Sequence, residues 1–339
     1  MQNQITEKQK LLNEKGLLAN PGYAIRSVFD YSRKEIAASK WRIKEWDYYA
    51  TLNKDFGVSF TIADLGYSYL ISAVFFDFVN KSYTKKNKIG WFSFGKLNLP
   101  SSSTTGNVSF HGNGFDFDFI REDNQRKLIC KIIDYLPGVN LESELVIQSP
   151  DEDSIIMATP WKENQKAFYY NQKINCMPTS GYVTIGDNKY SFDPLSTFTV
   201  LDWGRGVWTY KNTWYWGSAS GIVNGKRFGF NIGYGFGDTT KATENILFYD
   251  GHAHKLDQVI FHIDENNFLN PWKFTSNDQR FELTLEPLID REDNTNFLII
   301  KNLGHQVFGN YHGHVILDDG TKLEIRNLLG FAEKITNHY

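Results

Sequence analysis

The chain has 339 residues, and its 36 basic and 39 acidic residues leave a net charge of −3. Because no basic run or acidic tail accompanies this near balance, the sequence lacks the charge patterns typical of proteins that bind nucleic acid or charged membrane surfaces, and we predict no nucleic-acid partner. No apolar run approaches a membrane span, and the polar N-terminus lacks the apolar segment of a signal peptide. Both features favour a cytoplasmic protein without an integral membrane segment.

Composition also bears on the fold and on cofactors. Cys130 and Cys176 lie far apart without metal-ligand spacing, which disfavours a disulfide scaffold and a zinc site. Aromatic residues make up 16% of the chain, and this composition favours strands. The sequence contains no motif for a phosphate-binding loop or for another cofactor, so we predict no cofactor.

In chain order, the first 40 residues predict a polar arm with at most a short helix over residues 33–40. From Trp41 onward the pattern predicts short strands separated by turns. In residues 115–119, FDFDF, apolar and acidic positions alternate, so we expect the Phe side chains to point inward and Asp116 and Asp118 to point outward. The three strands expected to form the first antiparallel meander are residues 42–52, 58–65 and 67–78.

Beyond residues 201–221 we count about eight strand-like segments, and the hairpins across Asn224-Gly225 and across Asp318-Asp319-Gly320 are examples. Asn-Gly and Asp-Gly accept the positive φ angles of tight hairpin turns. Eight antiparallel strands is the number that closes a small up-and-down barrel. We therefore predict an all-β protein of one or two barrels or sandwiches, with a boundary near residue 205 that depends on strand counting alone.

Residues 201–221, LDWGRGVWTYKNTWYWGSASG, hold four of the nine tryptophans of the chain beside acidic and basic side chains. The residues of interest are Trp203, Trp208, Trp214, Trp216, Asp202 and Arg205. Ionisable groups among indoles are partly desolvated, which shifts their pKa values and permits chemistry or tight binding. Phe198, Val200 and Asp202 share a strand face, so we expect the Asp202 carboxylate to point inward, with Arg205 or a tyrosine as its partner.

Two other strands supply candidate cavity walls. Glu45 and Asp47 share a strand face, which points either to solvent or to a polar cavity. In a cavity, adjacent carboxylates raise one pKa and supply a general acid. A second strand carries more polarity than a core strand usually does. Its residues are Tyr169, Tyr170, Asn171, Lys173 and Asn175.

Three histidines near the C-terminus, His305, His312 and His314, are candidates for a metal site because His312 and His314 share a strand face. No nearby carboxylate completes an obvious set of ligands in the sequence. This favours surface or hydrogen-bonded histidines, and we predict no metal.

Several long motifs resemble a bacterial family named domain of unknown function 2804 over nearly the whole chain. They are RIKEWDYYATLN, TIADLGY, FYYNQKINCMP, LDWGRGVWTYKNTWYWGSASG, NIGYGFGDTTKATEN and LLGFAEKITN. A more distant similarity is to the carotenoid 1,2-hydratase-like proteins. The motifs that carry it, in order, are Tyr169-Tyr170, Asp202 with Gly204, Trp214 with Trp216, and Gly330-Phe331-Ala332-Glu333.

The distant similarity implies two lipocalin-like antiparallel β-barrel domains in tandem. We place these domains at residues 41–205 and 206–339, after an N-terminal arm of residues 1–40. The relatives include hydratases, cyclases and pericyclases that act on apolar small molecules, and a branch that carries lipid. The resemblance implies Asp202 as a proton donor, with tyrosine and tryptophan side chains stabilising developing positive charge. The relatives' motif continues with His and an acid, where this chain has Trp203-Gly204.

We therefore predict binding of an apolar, isoprenoid-like or lipid-like small molecule in a cavity lined by residues 201–221. If the protein is an enzyme, we expect acid-catalysed hydration, isomerisation or cyclisation. The predicted catalytic residues are Asp202, Arg205 and Tyr170. The predicted ligand-binding residues are Trp203, Trp208, Trp214, Trp216, Tyr169, Asn171, Asn175, Glu45 and Asp47.

Two alternatives stay open. In the first, the protein is carbohydrate-active or binds sugar, Trp214 and Trp216 stack on sugar rings, and Asp202 forms a carboxylate pair with Glu45 or Asp47. In the second, the protein is a non-enzymatic interaction protein whose indoles belong to the core and whose Asp202 forms a structural pair with Arg205.

Overall fold

The computed structural model describes residues 2–297 and 300–338, and within these ranges it consists of strands and one short 3₁₀ helix, Arg33–Glu35. The strands, numbered in chain order, are β1 (Gln9–Lys10), β2 (Gly22–Ala24), β3 (Phe29–Asp30), β4 (Ile43–Leu52), β5 (Phe56–Asp64), β6 (Ser68–Asp77), β7 (Ser82–Trp91), β8 (Val108–Gly112), β9 (Phe115–Glu122), β10 (Gln125–Leu136), β11 (Val139–Gln148), β12 (Ile155–Trp161), β13 (Asn164–Ile185), β14 (Asn188–Phe192), β15 (Phe198–Val207), β16 (Lys211–Val223), β17 (Lys226–Tyr234), β18 (Ile246–Tyr249), β19 (His252–Lys255), β20 (Val259–His262), β21 (Trp272–Ser276), β22 (Phe281–Phe297), β23 (Ile300–Ile316) and β24 (Lys322–His338).

The first sheet contains β2 and β4 to β15, and its main path runs β7-β6-β5-β4-β15-β13-β11-β10-β9-β8. Four strands separate β4 from β9 along this path, yet the ring of Tyr49 in β4 lies 5.2 Å from that of Phe119 in β9. The sheet therefore curls around these rings, which lie on its concave inner face. Phe115, Phe117 and Phe119 are buried there and Asp116 is exposed, as the alternation in FDFDF predicts.

The second sheet runs β19-β18-β17-β16-β24-β23-β22-β21-β20 and is antiparallel. It curls in the same way, because Phe230 in β17 packs against Phe281 in β22 at 5.0 Å across three intervening strands. The inner face holds a separate apolar cluster that includes Phe230, Phe281 and Tyr311. Each sheet thus encloses its own core, because each curled sheet buries the apolar side chains of its concave face.

The two sheets contact each other through their convex outer faces. Phe76 in β6 lies 4.2 Å from Phe308 in β23, measured between ring centroids. Tyr48 in β4 lies 6.0 Å from Trp216 in β16 in the same way. These residues belong to one apolar cluster that spans both sheets, so the contact between the sheets is a continuous part of the core.

Residues 2–40 lie across both sheets. Strand β2 pairs with β12 of the first sheet, while the backbone N–H of Asn3 donates to the Lys241 carbonyl at 2.7 Å and Gln2 Nε2 donates to the Leu256 carbonyl at 3.0 Å. The arm therefore links the sheets at one edge. Over residues 2–297 and 300–338, no helix has the length and apolar character needed to cross a membrane.

The predicted fold class, all-β with two curled antiparallel sheets in tandem, is confirmed. The chain passes from the first sheet to the second between Val207 and Lys211. Among the described residues, eight strands, β17 to β24, lie beyond residues 201–221, as expected. The predicted helix over residues 33–40 is reduced to one turn because Ile36 adopts an extended backbone. The division into an arm and two domains stays a prediction.

Candidate active site

Strand register divides the predicted site residues between the two faces of the first sheet. In the pairing of β15 with β4, Asp202 lies opposite Tyr48, whereas Trp203 lies opposite Asp47 and Arg205 opposite Glu45. Directly paired residues share a face, and successive residues alternate between faces. Asp202 therefore points to the outer face, toward the second sheet. Predicted site residues on the inner face are Trp203, Arg205, Tyr170, Glu45 and Asp47.

The inner-face residues form a buried ionic network. Arg205 Nη2 lies 3.0 Å from Asp47 Oδ1, and its guanidinium carbon lies 4.0 Å from the centre of the Trp203 ring. Glu45 accepts from Arg33 Nη1 at 2.5 Å and from the Tyr31 hydroxyl at 2.7 Å. Of the two orientations open for Glu45 and Asp47, the buried polar one is correct.

The expectation that Arg205 or a tyrosine pairs with Asp202 is wrong. Positions three apart on a strand point to opposite faces, so Arg205 cannot reach the Asp202 carboxylate. Asp202 Oδ1 instead accepts from Lys173 Nζ at 2.8 Å and from Asn171 Nδ2 at 2.6 Å. Lys173 lies directly opposite Asp202 in the pairing of β13 with β15.

Two further carboxyl groups, Glu244 and Glu333, are buried near Asp202 and Lys173 on the outer face of the first sheet. We call Asp202, Lys173, Glu244 and Glu333 the acid cluster. Glu333 belongs to β24 of the second sheet, and Glu244 precedes β18 in the same sheet. The contact between the two sheets therefore encloses three carboxyl groups and one buried amine.

The Glu244 side chain is held between the sheets, where the backbone of Gly233 approaches it closely. The hydroxyl of Tyr169 donates to Glu244 Oε2 at 3.4 Å, and a Cβ at Gly233 would overlap Glu244 Oε1. Burial raises the pKa of Glu244 to about 7; Lys173 opposes this shift and Asp202 adds to it. Glu244 is therefore a buried acid that can hold or release a proton near neutral pH.

Glu333 has a similar environment with different partners. Trp214 Nε1 donates to Glu333 Oε1 at 3.0 Å, and Gln306 Nε2 donates to Glu333 Oε2 at 3.0 Å. Burial raises the pKa of Glu333 to about 7, against the Trp214 hydrogen bond and the charges of Arg291 and Lys173. Two acids with raised pKa values next to an ion-paired aspartate form a set able to both give and accept protons.

Aromatic rings surround the acid cluster. Lys173 Nζ lies 4.0 Å from the centre of the Trp216 ring, and Trp216 Nε1 donates to Asn231 Oδ1 at 2.6 Å. Trp208 lies at the centre of a group of rings beside Tyr169. Its neighbours, with centroid distances, are Trp214 at 5.1 Å, Trp161 at 5.5 Å, Trp46 at 5.9 Å and Tyr169 at 5.9 Å. Such faces stabilise positive charge.

The arrangement contradicts the geometry expected of the sugar-binding alternative. Trp216 is only 3% exposed, and its ring is covered by Lys173 and Tyr48, so it offers no open face for a sugar ring. Glu45 and Asp47 lie on the opposite face of the first sheet from Asp202. They therefore cannot act with Asp202 on one glycosidic bond.

A pocket lies between the sheets beside the acid cluster, and we call it the inter-sheet pocket. It has a cavity volume of about 10 Å³. Its lining residues include Val200, Ser218 and Phe331, each two positions along the same strand from Asp202, Trp216 and Glu333 respectively. The other lining residues are Ala50, Leu52, Phe198, Ala219, Ser220 and Leu329. Since residues two apart share a strand face, the pocket continues the surface that carries the acid cluster.

The predicted residues that the structure brings together on this outer face are Asp202, Tyr169, Asn171, Asn175, Trp208, Trp214 and Trp216. Glu244 and Glu333 are absent from the predicted site residues, and Lys173 is present only as part of a candidate cavity wall. Lys173 carried a signal, because it shares a strand face with Tyr169 and Asn171, and Glu333 lies in the motif that carries the distant similarity. Glu244 lies outside the regular strands, so no alternation pattern indicated its position.

The three histidines do not converge. His305 Nδ1 lies 2.8 Å from Asp290 Oδ2, while His312 Nε2 lies 3.5 Å from Glu286 Oε2. Within the described part of the chain, ligand atoms of Asp290, Glu292 and His305 lie within 4.8 Å of one another. The structure thus places the carboxylates of Asp290 and Glu292 beside His305, which the sequence did not indicate. These three described residues could together hold a metal ion.

Gly204 admits the Trp46 indole against β15, because a Cβ at this position would overlap the Trp46 ring. We expect Gly204→Ala to lower the free energy of unfolding by about 1–3 kcal/mol, as overpacking in a core does. Urea denaturation measures this change. Gly217→Ala is the matched control on β16, since its Cβ would lie 3.1 Å from the Ile232 side chain, which can yield. Equal effects of the two substitutions would contradict the role assigned to Gly204.

Comparisons with solved structures identify proteins of similar fold. A protein assigned as AttH from Nitrosomonas europaea is 14% identical, with a TM-score of 0.53 over 90% of this chain and 95% of that chain. Kievitone hydratase from Nectria haematococca is 11% identical, with a TM-score of 0.49 over 98% of each chain. CghA in complex with Sch210972 is 9% identical, with a TM-score of 0.45 over 97% of each chain.

Among curated proteins, none matches the sequence. The family model described as domain of unknown function, DUF2804, matches residues 2–339. This match spans nearly the whole chain, including every residue of the acid cluster and of the inter-sheet pocket. The chain therefore belongs to the DUF2804 family.

Proposed function

We propose that this protein binds an apolar small molecule in the inter-sheet pocket and transfers protons to or from it through the acid cluster. The proposed reaction class is hydration, isomerisation or cyclisation. The observation that carries the proposal is the position of three residues next to the pocket. Asp202 on β15, and the paired residues Trp216 on β16 and Glu333 on β24, each lie two positions along their strand from a residue that lines it. An apolar pocket that leads to a few convergent polar groups is typical of small-molecule sites.

The acid cluster supplies a donor and an acceptor for this chemistry. Glu333 or Glu244, kept protonated by burial, would donate a proton to an alkene or carbonyl. Asp202, paired with Lys173, would accept the proton that the substrate or the attacking water loses in the same reaction.

Entry of a ligand requires movement at the mouth of the pocket. A volume of about 10 Å³ holds about one water molecule. Leu52, Ser220 and Leu329 are half-buried and border the pocket, so they are the side chains that a larger ligand would displace. The proposed partner is thus an apolar small molecule or lipid, and the proposed location is the cytoplasm.

Native mass spectrometry of protein purified from its own cells tests the binding step. We expect a co-purifying apolar molecule, and we expect Leu329→Trp to reduce its occupancy at least about tenfold by filling the mouth of the pocket. Leu195→Trp is the matched control, because Leu195 is 80% exposed and lies outside the pocket. Absence of any apolar ligand, combined with a hit on a glycan array, would overturn the proposal.

The catalytic step is tested separately once the ligand is identified. We expect Asp202→Asn to retain the ligand but to lose at least about 100-fold in turnover, as loss of a general acid or base does. Glu142→Gln, an exposed carboxyl on β11, is the control and should retain full turnover. An Asp202→Asn protein that unfolds in milder urea but turns over normally when folded would assign Asp202 a structural role.

A further inference from the structure

A second pocket opens on the inner face of the first sheet, on the side opposite the acid cluster. Its cavity volume is also about 10 Å³, and its lining includes the Asp47 carboxylate together with Tyr49, Ser102, Ser103, Arg121 and Arg126. The inter-sheet pocket shares none of these residues. The two pockets are therefore separate, and each can be tested without reference to the other.

Two arginines at this inner-face pocket have unused hydrogen-bond donors. Arg126 is 4% exposed; its Nη1 donates to the Tyr49 hydroxyl at 3.2 Å and its Nε lies 3.4 Å from Ser149 Oγ. Its Nη2 is buried and has no hydrogen-bond partner among the described residues. Arg121 donates from Nη1 to the Gln125 carbonyl at 2.8 Å, and its buried Nε likewise has no partner in the described part of the chain. A buried donor without a partner is costly.

The carboxylates of the inner face are already paired with other guanidinium groups. Asp47 contacts Arg205 at 3.0 Å, Glu45 contacts Arg33 at 2.5 Å, and Asp64 lies 3.8 Å from Arg33. Four arginines thus face three buried carboxylates. Arg121 and Arg126 lie directly opposite each other across β9 and β10. The charge of Asp47 acts on Arg126 and that of Asp123 on Arg121, but neither carboxylate accepts from the free donors of these two arginines.

We propose that the inner-face pocket binds a carboxylate group between Arg121 and Arg126. A carboxylate is planar and offers two oxygens, which match the fork of guanidinium N–H groups. The Tyr49 hydroxyl accepts from Arg126 and can donate its own hydrogen to the same anion. The pocket holds about one water molecule, so even formate, the smallest carboxylate, would displace side chains at its rim, and a tetrahedral phosphate would displace them further.

Thermal unfolding in sodium formate, with sodium chloride added to hold the ionic strength constant, tests this site. We expect the midpoint of unfolding to rise with formate and to saturate, because a ligand of the folded state stabilises it. Arg121→Gln should weaken the apparent affinity at least about tenfold, since a charged hydrogen bond is lost. Arg121 is only half-buried, so this variant is expected to fold.

Three further samples sharpen the test. Tyr49→Phe keeps the ring against Phe119 and removes the hydroxyl, and it should weaken formate binding several-fold. Lys131→Gln removes an exposed cation of β10 outside the pocket and should bind formate as the unmodified protein does. Inorganic phosphate should stabilise less than formate at equal concentration.

The proposal is overturned if formate stabilises no more than chloride does at the same ionic strength. It is also overturned if Lys131→Gln weakens formate binding as much as Arg121→Gln, which would indicate a general charge effect, or if phosphate binds as tightly as formate. A negative result for the inter-sheet pocket leaves this test unaffected, because no residue is shared.

Discussion

Lys173→Met is expected to lower the free energy of unfolding by about 3–5 kcal/mol, the cost of removing one partner from a buried ion pair. Lys173 is 2% exposed and is the amine that faces Asp202, Glu244 and Glu333. Methionine preserves most of the side-chain volume, so packing changes little. The loss comes from leaving the Asp202 carboxylate buried with Asn171 as its remaining hydrogen-bond donor.

Urea denaturation at neutral pH measures this loss. Lys226→Met is the matched control, because Lys226 forms a pair with Asp250 at 2.8 Å in which both side chains are more than half exposed, and such pairs contribute below about 1 kcal/mol. The double variant Lys173→Met with Asp202→Asn should recover part of the loss, since the unpaired charge is removed. A loss at Lys173 no larger than that at Lys226, or no recovery in the double variant, would contradict an ion pair at the centre of the acid cluster.

The free energy of unfolding is expected to fall as the pH rises from about 4.5 to about 7. In the folded protein Glu244 and Glu333 have pKa values raised to about 7, against 4.5 for an ordinary glutamate. Between these values the folded protein holds protons that the unfolded chain has released, so stability is full below the lower value and is lost as the pH rises through the higher one. The expected loss is on the order of 3 kcal/mol for each carboxyl group.

Above neutral pH, two buried amines rather than the two carboxyl groups change the free energy of unfolding. Burial lowers the pKa of Lys44 and of Lys255 to about 7 from 10.5. There the unfolded chain holds the extra protons, so these two amines make stability rise between about pH 7 and about pH 10.5. A plot of the free energy of unfolding against pH should therefore have a minimum near neutral pH. The fall below this minimum is assigned to Glu244 and Glu333, and the rise above it to Lys44 and Lys255.

Glu333→Gln isolates one carboxyl group. Glutamine keeps the shape and the oxygen that accepts from Trp214, and it carries no charge at any pH. We expect this variant to lose about half of the decline in stability between about pH 4.5 and about pH 7. Glu142→Gln, exposed and paired with Lys131, should leave the decline unchanged. A decline of the same size in Glu333→Gln and in the unmodified protein would show that Glu333 is ionised throughout this range.

The strand pattern of the sequence was enough to predict the fold class, because alternation and turn residues act locally. FDFDF at residues 115–119 and the turn at Asn224-Gly225 fix strand faces and hairpins with few neighbours. The short helix expected at most over residues 33–40 is present as one turn, Arg33–Glu35. It extends no further because tertiary contacts outweigh a weak propensity: Arg33 is held by Glu45, and Ile36 is extended.

Whether residues 201–221 form a functional site stays a prediction, but the pairing expected within them was wrong for a physical reason. Neighbours in sequence were treated as neighbours in space. On a strand, Asp202 and Trp203 lie on opposite faces, so one short motif contributes to two separate clusters. Partners such as Glu244 and Glu333 come from another sheet, and only the packing of the two sheets places them beside Asp202.

The central claim is that the contact between the two sheets encloses protonated carboxyl groups near neutral pH. Infrared spectroscopy tests it directly, because the C=O stretch of a protonated carboxyl is distinct from that of a carboxylate. We expect bands from two protonated carboxyl groups that disappear between about pH 5 and about pH 9, with one band missing in Glu244→Gln and the other in Glu333→Gln. Carboxyl bands that have all disappeared below about pH 5, or bands unchanged in both variants, would contradict the account.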